Sequence, residues 1–195
     1  MIRELIDLLF PAQCASCDEA GSGLCQLCAP LQDPVFHRDL DSLRVRGLGQ
    51  YCGAYRRAVL ALKDGRRDVA TALASRLARL EIGGSLLVPV TTTSARKRIR
   101  GMDNVEELAR LAALQSGGRF LPALRRTGRD AQRGRARDAR LAARGRFACD
   151  ATFSPSTKIV LVDDVCTTGS TLEDCAAAVR AAGGVVEEAV VVALA

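Results

Sequence analysis

The chain has 195 residues, 48% of them hydrophobic, enough for one sizeable α/β domain with a small appendage, which excludes a disordered chain. Aromatic residues make up 4%, with no Trp, so the core must come from Leu, Val, Ile and Ala, and single-strand binding by stacked aromatic platforms has little to stand on. The formal charge of +6 says less than where the charge sits.

Met1 to Phe10 carries Ile2, Leu5, Ile6 and Leu9 at helical spacing, interrupted by Arg3, Glu4 and Asp7. This is neither a signal peptide nor a membrane span, and no other window is apolar for long enough to cross a bilayer. A soluble, cytoplasmic protein without membrane insertion is expected, and its cysteines are read as thiols. Cys14-x-x-Cys17 and Cys25-x-x-Cys28 follow, seven residues apart. Four thiolates at this spacing match a tetrahedral, structural Zn²⁺, and Gly21 and Gly23 allow the return that brings the pairs together. Metal binding would fold this segment, which has little core of its own. A redox Cys-x-x-Cys is disfavoured because there are two pairs and no adjoining βαβ unit. Two disulfides are disfavoured by the compartment, and an iron–sulfur cluster is the residual metal alternative.

Ala29 to about Gly49 reads as a connecting stretch, and His37 within it, the only histidine, reads as surface. Residues 1–50 are therefore assigned to a helix and zinc-binding module, and 51–195 to the main domain. Tyr55 to Lys63 predicts a short helix stopped at Gly65. Val69, Leu73, Leu77 and Leu80 predict a second, closed by Gly83-Gly84. Leu86 to Val90 predicts a strand, followed by the basic cluster Arg96-Lys97-Arg98-Ile99-Arg100-Gly101. Asp103-x-x-Glu106 looks like a capping box for a helix carrying Val105, Leu108, Leu111 and Leu114, ending near Gly117-Gly118. Basic side chains thus gather between a strand end and a helix start, where doubly wound sheets bind ligands.

Phe120 to Leu124 predicts another short strand. Arg125 to Arg146 then holds nine Arg against Asp130 and Asp138, a local +7 in a chain of +6. Such a block is a loop that closes on an anionic ligand, a nucleic-acid contact or a solvated helix face. Its periodicity does not separate the first two.

The most informative stretch is Lys158-Ile159-Val160-Leu161-Val162-Asp163-Asp164-Val165-Cys166-Thr167-Thr168-Gly169-Ser170-Thr171. The apolar run before Asp163 lacks alternation and is too short for a helix, so it predicts a parallel strand buried on both faces, with an acidic turn after it. Thr167 to Thr171 supplies hydroxyls and a Gly directly before a helical segment, so backbone N–H groups would converge on an anion. A phosphate in that loop and two carboxylates at the strand end describe a ligand with a 5′-phosphate and a diol, and ribose 5-phosphate fits. GxxxxGK[ST] is absent, which disfavours a P-loop ATPase. Ser170 and Glu173 offer a capping box, with Leu172, Ala176 and Val179 facing inward. Val185, Val186 and Val190 to Leu194 complete a final strand. Cys52, Cys149, Cys166 and Cys175 lack metal spacing and read mostly as small hydrophobes, Cys175 on the interior helix face. Two carboxylates ahead of Cys166 would raise its thiol pKa, against a nucleophilic role.

VLVDDVCTTGST resembles the phosphoribosyl pyrophosphate motif of the type I phosphoribosyltransferases. Together with the four-Cys knuckle, Lys63 before a Gly/Arg turn, Val88-Pro89 leading to Arg98-x-Arg100-Gly101, and the Arg-rich segment around Gln132, it resembles the ComF family, competence-associated and phosphoribosyltransferase-like, over nearly the full chain. Met102-Asp103-Asn104-Val105 and Ala142-Ala143 depart from that family's pattern at the second-substrate contacts. The resemblance implies a type I phosphoribosyltransferase fold, a parallel sheet with helices on both faces plus a zinc-bearing N-terminal extension, and a role in DNA uptake during natural transformation. By the same resemblance, Asp163 and Asp164 would hold the ribose hydroxyls and Thr167, Thr168, Gly169, Ser170 and Thr171 the 5′-phosphate. Lys63, Arg98 and Arg100 would neutralise a pyrophosphate that comes with Mg²⁺. Two classes stay open: an enzyme passing phosphoribosyl to a base, amine or other acceptor, as in nucleobase salvage, and a binding protein that uses Arg133, Arg135 and Arg137 on single-stranded DNA.

Overall fold

The structure, a computed structural model, describes residues 11–30, 36–91, 103–127 and 146–195. The predicted N-terminal helix, the basic cluster with Arg98 and Arg100, and Arg133, Arg135 and Arg137 lie outside the described residues. In chain order the elements are β1 (Phe36–Asp39), β2 (Arg44–Gln50), α1 (Gly53–Lys63), α2 (Arg67–Ala78), β3 (Leu86–Pro89), α3 (Asn104–Ser116), β4 (Arg119–Phe120), β5 (Leu124–Arg126), β6 (Phe147–Cys149), β7 (Lys158–Cys166), α4 (Ser170–Ala181) and β8 (Val185–Leu194). No helix among the described residues is long and apolar enough to cross a membrane.

Six strands form one sheet in the order β1-β2-β8-β7-β3-β4. Only β1–β2 is antiparallel; the other pairings are parallel. β7 lies between β3 and β8, with Leu161 opposite both Val88 and Ala189. Its apolar run has no alternation because both faces are covered. Val160 and Val162 pack with α1, α2 and α3 on one face, while Ile159 and Leu161 pack with α4 on the other. β5 and β6 form a separate two-stranded ribbon whose Leu124 and Phe147 join the α4 side of the core.

Three expectations change. The stretch before residue 50 is not a linker: Phe36–Asp39 and Arg44–Gln50 are strands, and β2 pairs with β8. Among the described residues the first strand of the sheet is β1, from residue 36. Gly47 and Gly49 masked this strand in the sequence, yet both glycines are needed. A Cβ on Gly47 would fall 2.9 Å from Leu194, and one on Gly49 2.3 Å from the Tyr55 ring. The single strand expected over Phe120 to Leu124 is two, Arg119–Phe120 and Leu124–Arg126. Pro122 between them has no N–H to give a ladder. The capping box expected at Ser170 and Glu173 is absent: the N-cap is Gly169 at φ 81° with no side-chain cap. Glu173 instead accepts from the Ser42 N–H at 3.0 Å and from the Ser42 hydroxyl.

The Asp103 side of the box expected at α3 is in place. Asp103 caps the helix by accepting from the Val105 and Glu106 N–H groups, and Gly117 ends it in the left-handed region at φ 70°. Leu114 is 73% exposed, and the buried face is made by Val105, Leu108, Ala109, Ala112 and Ala113.

Leu161→Ala is expected to cost about 2–5 kcal/mol, because a fully enclosed site cannot collapse onto the missing atoms. Tm should fall by about 2–4 °C for each kcal/mol in a chain of this size. Thermal unfolding followed by circular dichroism checks this, with Leu114→Ala as a control that leaves Tm nearly unchanged.

Candidate functional site

The connection from β3 leads outward to β4, whereas the one from β7 leads the opposite way to β8. Their helices, α3 and α4, lie on opposite faces. The carboxyl ends of β3 and β7 therefore border the crevice of a doubly wound sheet where connections diverge and ligands bind. Asp163, Asp164 and Thr167 to Gly169 are at that edge. The acids are not in a turn, as the sequence reading has them, since β7 continues through both to Cys166. Parallel pairing with β8, Asp163 opposite Val191 and Cys166 opposite Leu194, carries the strand past them.

Lys63, the last residue of α1, places its Nζ 3.1 Å from Asp164 Oδ2. The end of α1 is tied to the start of α3, because Asn104 Nδ2 donates to the Lys63 carbonyl at 3.1 Å. The Asp164 N–H donates to Asp163 Oδ1 at 2.8 Å. Withdrawal from water pushes the Asp163 carboxyl up to about 8. The Asp164 charge adds to this, and the Asp164 N–H and Lys63 oppose it. Asp103, buried at the cap of α3, adds a further push. The sequence-predicted pair is thus two adjacent carboxyls, Asp164 ion-paired with Lys63 and Asp163 holding its proton near neutral pH.

The Thr/Gly loop lies beside it. Thr167, Thr168 and Ser170 are exposed and Gly169 is buried, with its Cα face against Leu40, where a Cβ would meet the Leu40 side chain at 2.5 Å. Without a side-chain cap on α4, the Thr171 and Leu172 N–H groups have no hydrogen-bond partner among the described residues, and the Ser170 N–H makes only a long 3.4 Å contact with Thr168 Oγ1. A helix start of this kind favours an anion.

Two arginines that sequence reasoning did not single out hold this loop. Arg38 of β1 donates to the Thr167 carbonyl and, at 2.6 Å, to the Ala195 carbonyl. Arg146 donates to Ser170 Oγ at 2.8 Å and to Asp174 at 2.5 Å. No local pattern marks Arg38, which reaches the loop only because β1 pairs with β2 and β2 with β8. Cys166 is buried; burial raises its thiol pKa, with Asp163 adding and Arg38 opposing, so it is not a ready nucleophile. Cys175 is likewise buried and shifted upward, chiefly by burial.

A second centre lies at residues 14–28. The four Sγ atoms of Cys14, Cys17, Cys25 and Cys28 lie within 4.8 Å of one another, and Cys17 and Cys25 are 3.7 Å apart. A tetrahedral ion with metal–sulfur bonds of about 2.3 Å requires sulfur–sulfur edges of about 3.8 Å, so the cluster can hold a metal ion such as zinc. The N–H groups of Ser16 and Cys25 both donate to Cys14 Sγ at 3.4 Å. Burial opposes thiolate formation at Cys14, but these donors outweigh it and bring the thiol down to about 6. Gly21 turns at φ 109°. Gly23 serves a different end from the expected turn: a Cβ there would sit 2.4 Å from the Asp68 backbone, so its lack of a side chain lets the module press against α2.

No family model matches the chain, and no curated protein matches it in sequence.

The raised Asp163 pKa has a consequence for stability. Between about pH 4 and about pH 8 the unfolded chain releases this proton while the folded chain keeps it, so folding weakens as pH rises through that window. Asp163→Asn, neutral throughout, is expected to show a higher Tm than wild type at about pH 8 and nearly the same Tm at about pH 4. Scanning calorimetry at both values checks this, and an equal difference at both would contradict it.

Proposed function

We propose that the chain binds phosphoribosyl pyrophosphate, or a closely related ribose phosphate, on a type I phosphoribosyltransferase-like domain carrying a structural zinc in its four-Cys module. One observation carries this reading. An acidic pair and an uncapped Thr/Gly helix start lie side by side at the carboxyl edge of β7, where the sheet's connections diverge. A ligand with a diol at one end and a 5′-phosphate at the other spans those two features. Asp163 and Asp164 accept hydrogen bonds from the ribose hydroxyls, and the backbone and hydroxyls of Thr167 to Thr171 donate to the phosphate. Lys63, ion-paired with Asp164, is within reach of the pyrophosphate end and turns to it as the hydroxyls take over the carboxylate.

The acidic oxygens suit Mg²⁺, which would arrive with the pyrophosphate and spread its charge. Loss of pyrophosphate from the ribose anomeric carbon would proceed by positioning and electrostatics, with no nucleophile drawn from the protein. Buried Cys166 and surface His37 agree with that. The likeness of the sequence to the ComF family supports a role in cytoplasmic DNA uptake during natural transformation, in preference to nucleobase salvage.

Calorimetric titration of the purified protein with phosphoribosyl pyrophosphate and Mg²⁺ tests the reading. Wild type is expected to bind, and Asp163→Asn/Asp164→Asn to lose roughly tenfold or more in affinity for each charged hydrogen bond removed. Absence of binding by wild type would overturn the proposal. The zinc assignment is tested separately by elemental analysis. One equivalent of zinc is expected in the purified chain and its loss in Cys14→Ser, where a ligand that receives two N–H donors disappears.

A further inference from the structure

Arg76 is 7% exposed in the middle of the interface between α2 and the cysteine module. A guanidinium cannot shed its charge at any ordinary pH, so burying it is costly unless a negative group lies close. Among the described residues Arg76 makes no ion pair with Asp or Glu. The nearby Asp68 is taken by Arg66. Instead one terminal nitrogen of Arg76 donates to the Leu24 carbonyl at 2.7 Å and more weakly, at 3.4 Å, to the carbonyls of Cys25 and Ala29. The other donates to the Ala72 carbonyl at 3.1 Å, and Nε has no partner. Carbonyl dipoles satisfy hydrogen bonds but leave the net charge uncancelled. The ionisable groups that act on Arg76 are the Tyr55 phenol and the thiols of Cys14 and Cys25. The phenol is neutral at ordinary pH, burial raising its pKa further, and the two sulfurs are thiolates when they hold a metal.

We propose that Arg76 is the counter-charge of the metal–thiolate centre, so that metal binding and docking of the cysteine module onto α2 are one linked event. A divalent ion held by four thiolates leaves two negative charges in excess. The guanidinium spans the backbone on both sides of the Cys25-x-x-Cys28 knuckle and returns one positive charge to that excess. Without the metal the module has less to set against the buried cation, and with it the two burials support each other. The rest of the interface is short-range: Gly23 against the Asp68 backbone, Arg57 to Ser16 Oγ at 2.6 Å and Arg66 to the Gln13 carbonyl. Arg76 alone is buried within it as a net charge, which makes it a positioning residue for the metal centre.

The inference depends on the four cysteines holding a metal and not on the ribose-phosphate reading, and one experiment separates its failure from that of the metal assignment. Zinc affinity of the full-length chain is measured by competition with a chromophoric chelator for wild type, Arg76→Lys and Arg76→Gln. Lys keeps the charge and loses the planar fork; Gln keeps a donor and loses the charge. Arg76→Lys is expected to hold zinc nearly as tightly as wild type, and Arg76→Gln to lose roughly tenfold or more, the range for partners lying just outside a metal's ligands. Thermal unfolding supplies a second readout. Arg76→Gln should be less stable than wild type when zinc-loaded but equal to it or more stable after chelation. A contact that acts only through hydrogen bonds would destabilise both states alike. Zinc affinities of the Gln and Lys variants that match each other, or destabilisation of equal size in both states, would overturn the counter-charge role. A wild-type chain that takes up no zinc would overturn it together with the metal assignment.

Discussion

The central constraint is the burial of β7 on both faces. Four consecutive apolar residues, Ile159 to Val162, are sealed between two helical layers, and the same strand then runs without a break into two carboxylates. Nothing else in the described residues fixes Asp163 and Asp164 so rigidly. Main-chain pairing to β3 reaches Val162 and pairing to β8 runs past both acids to Cys166, so the backbone cannot shift to separate the carboxyls. Lys63 relieves part of that repulsion, and proton retention on Asp163 relieves more. On the proposed reading, such strained electrostatics on a rigid strand end gives up stability for a site that is ready before its ligand arrives.

Positioning of Lys63 depends on the cysteine module at one remove. The module touches α1 through Arg57, the α1–α2 turn through Arg66 and the last turn of α2 through Arg76, and Lys63 closes α1 just before the α1–α2 turn. From inside, Asn104 holds the Lys63 carbonyl. A small segment with a core of little more than Cys14, Leu24 and Ala29 thus sits against the element that delivers the cation to the acidic pair. A metal held by the four cysteines would make so short a segment rigid, since its coordination bonds would replace a core the segment is too small to build.

Much of this was legible in the sequence, and the failures share a cause. Both cysteine pairs, the β7 run, the Thr/Gly loop and the helix from Asp103 to Gly117 carry signals contained within a few residues, and the structure has each in place. β2 alternates Arg, Val, Arg, Gly, Leu, Gly, and its two glycines answer to Leu194 and Tyr55, which no local window shows. Arg38 and Arg76 are equally silent, because an Arg on a strand or helix usually means solvent. Only pairing of β1 at the sheet edge and packing of the module on α2 reveal what these two touch. Glu173 failed differently: its spacing from Ser170 suits a capping box, but with Gly169 as the cap the register slips by one residue, and the carboxylate goes to Ser42.

That slip bears on how an acidic edge can host an anionic ligand at all. Had Ser170 and Glu173 closed a capping box, α4 would begin with its N–H groups occupied and a carboxylate across its mouth. Instead Glu173 is drawn aside to Ser42, Arg38 and Arg146 stand on the loop, and the helix dipole faces outward with its donors uncapped. The edge is therefore polarised, positive at the start of α4 and negative at the end of β7. On the proposed reading each half meets the matching end of the ligand. Hydroxyls are hydrogen-bond donors and suit carboxylates, a phosphate is an acceptor and suits the helix start, and the reversed orientation would place like against like.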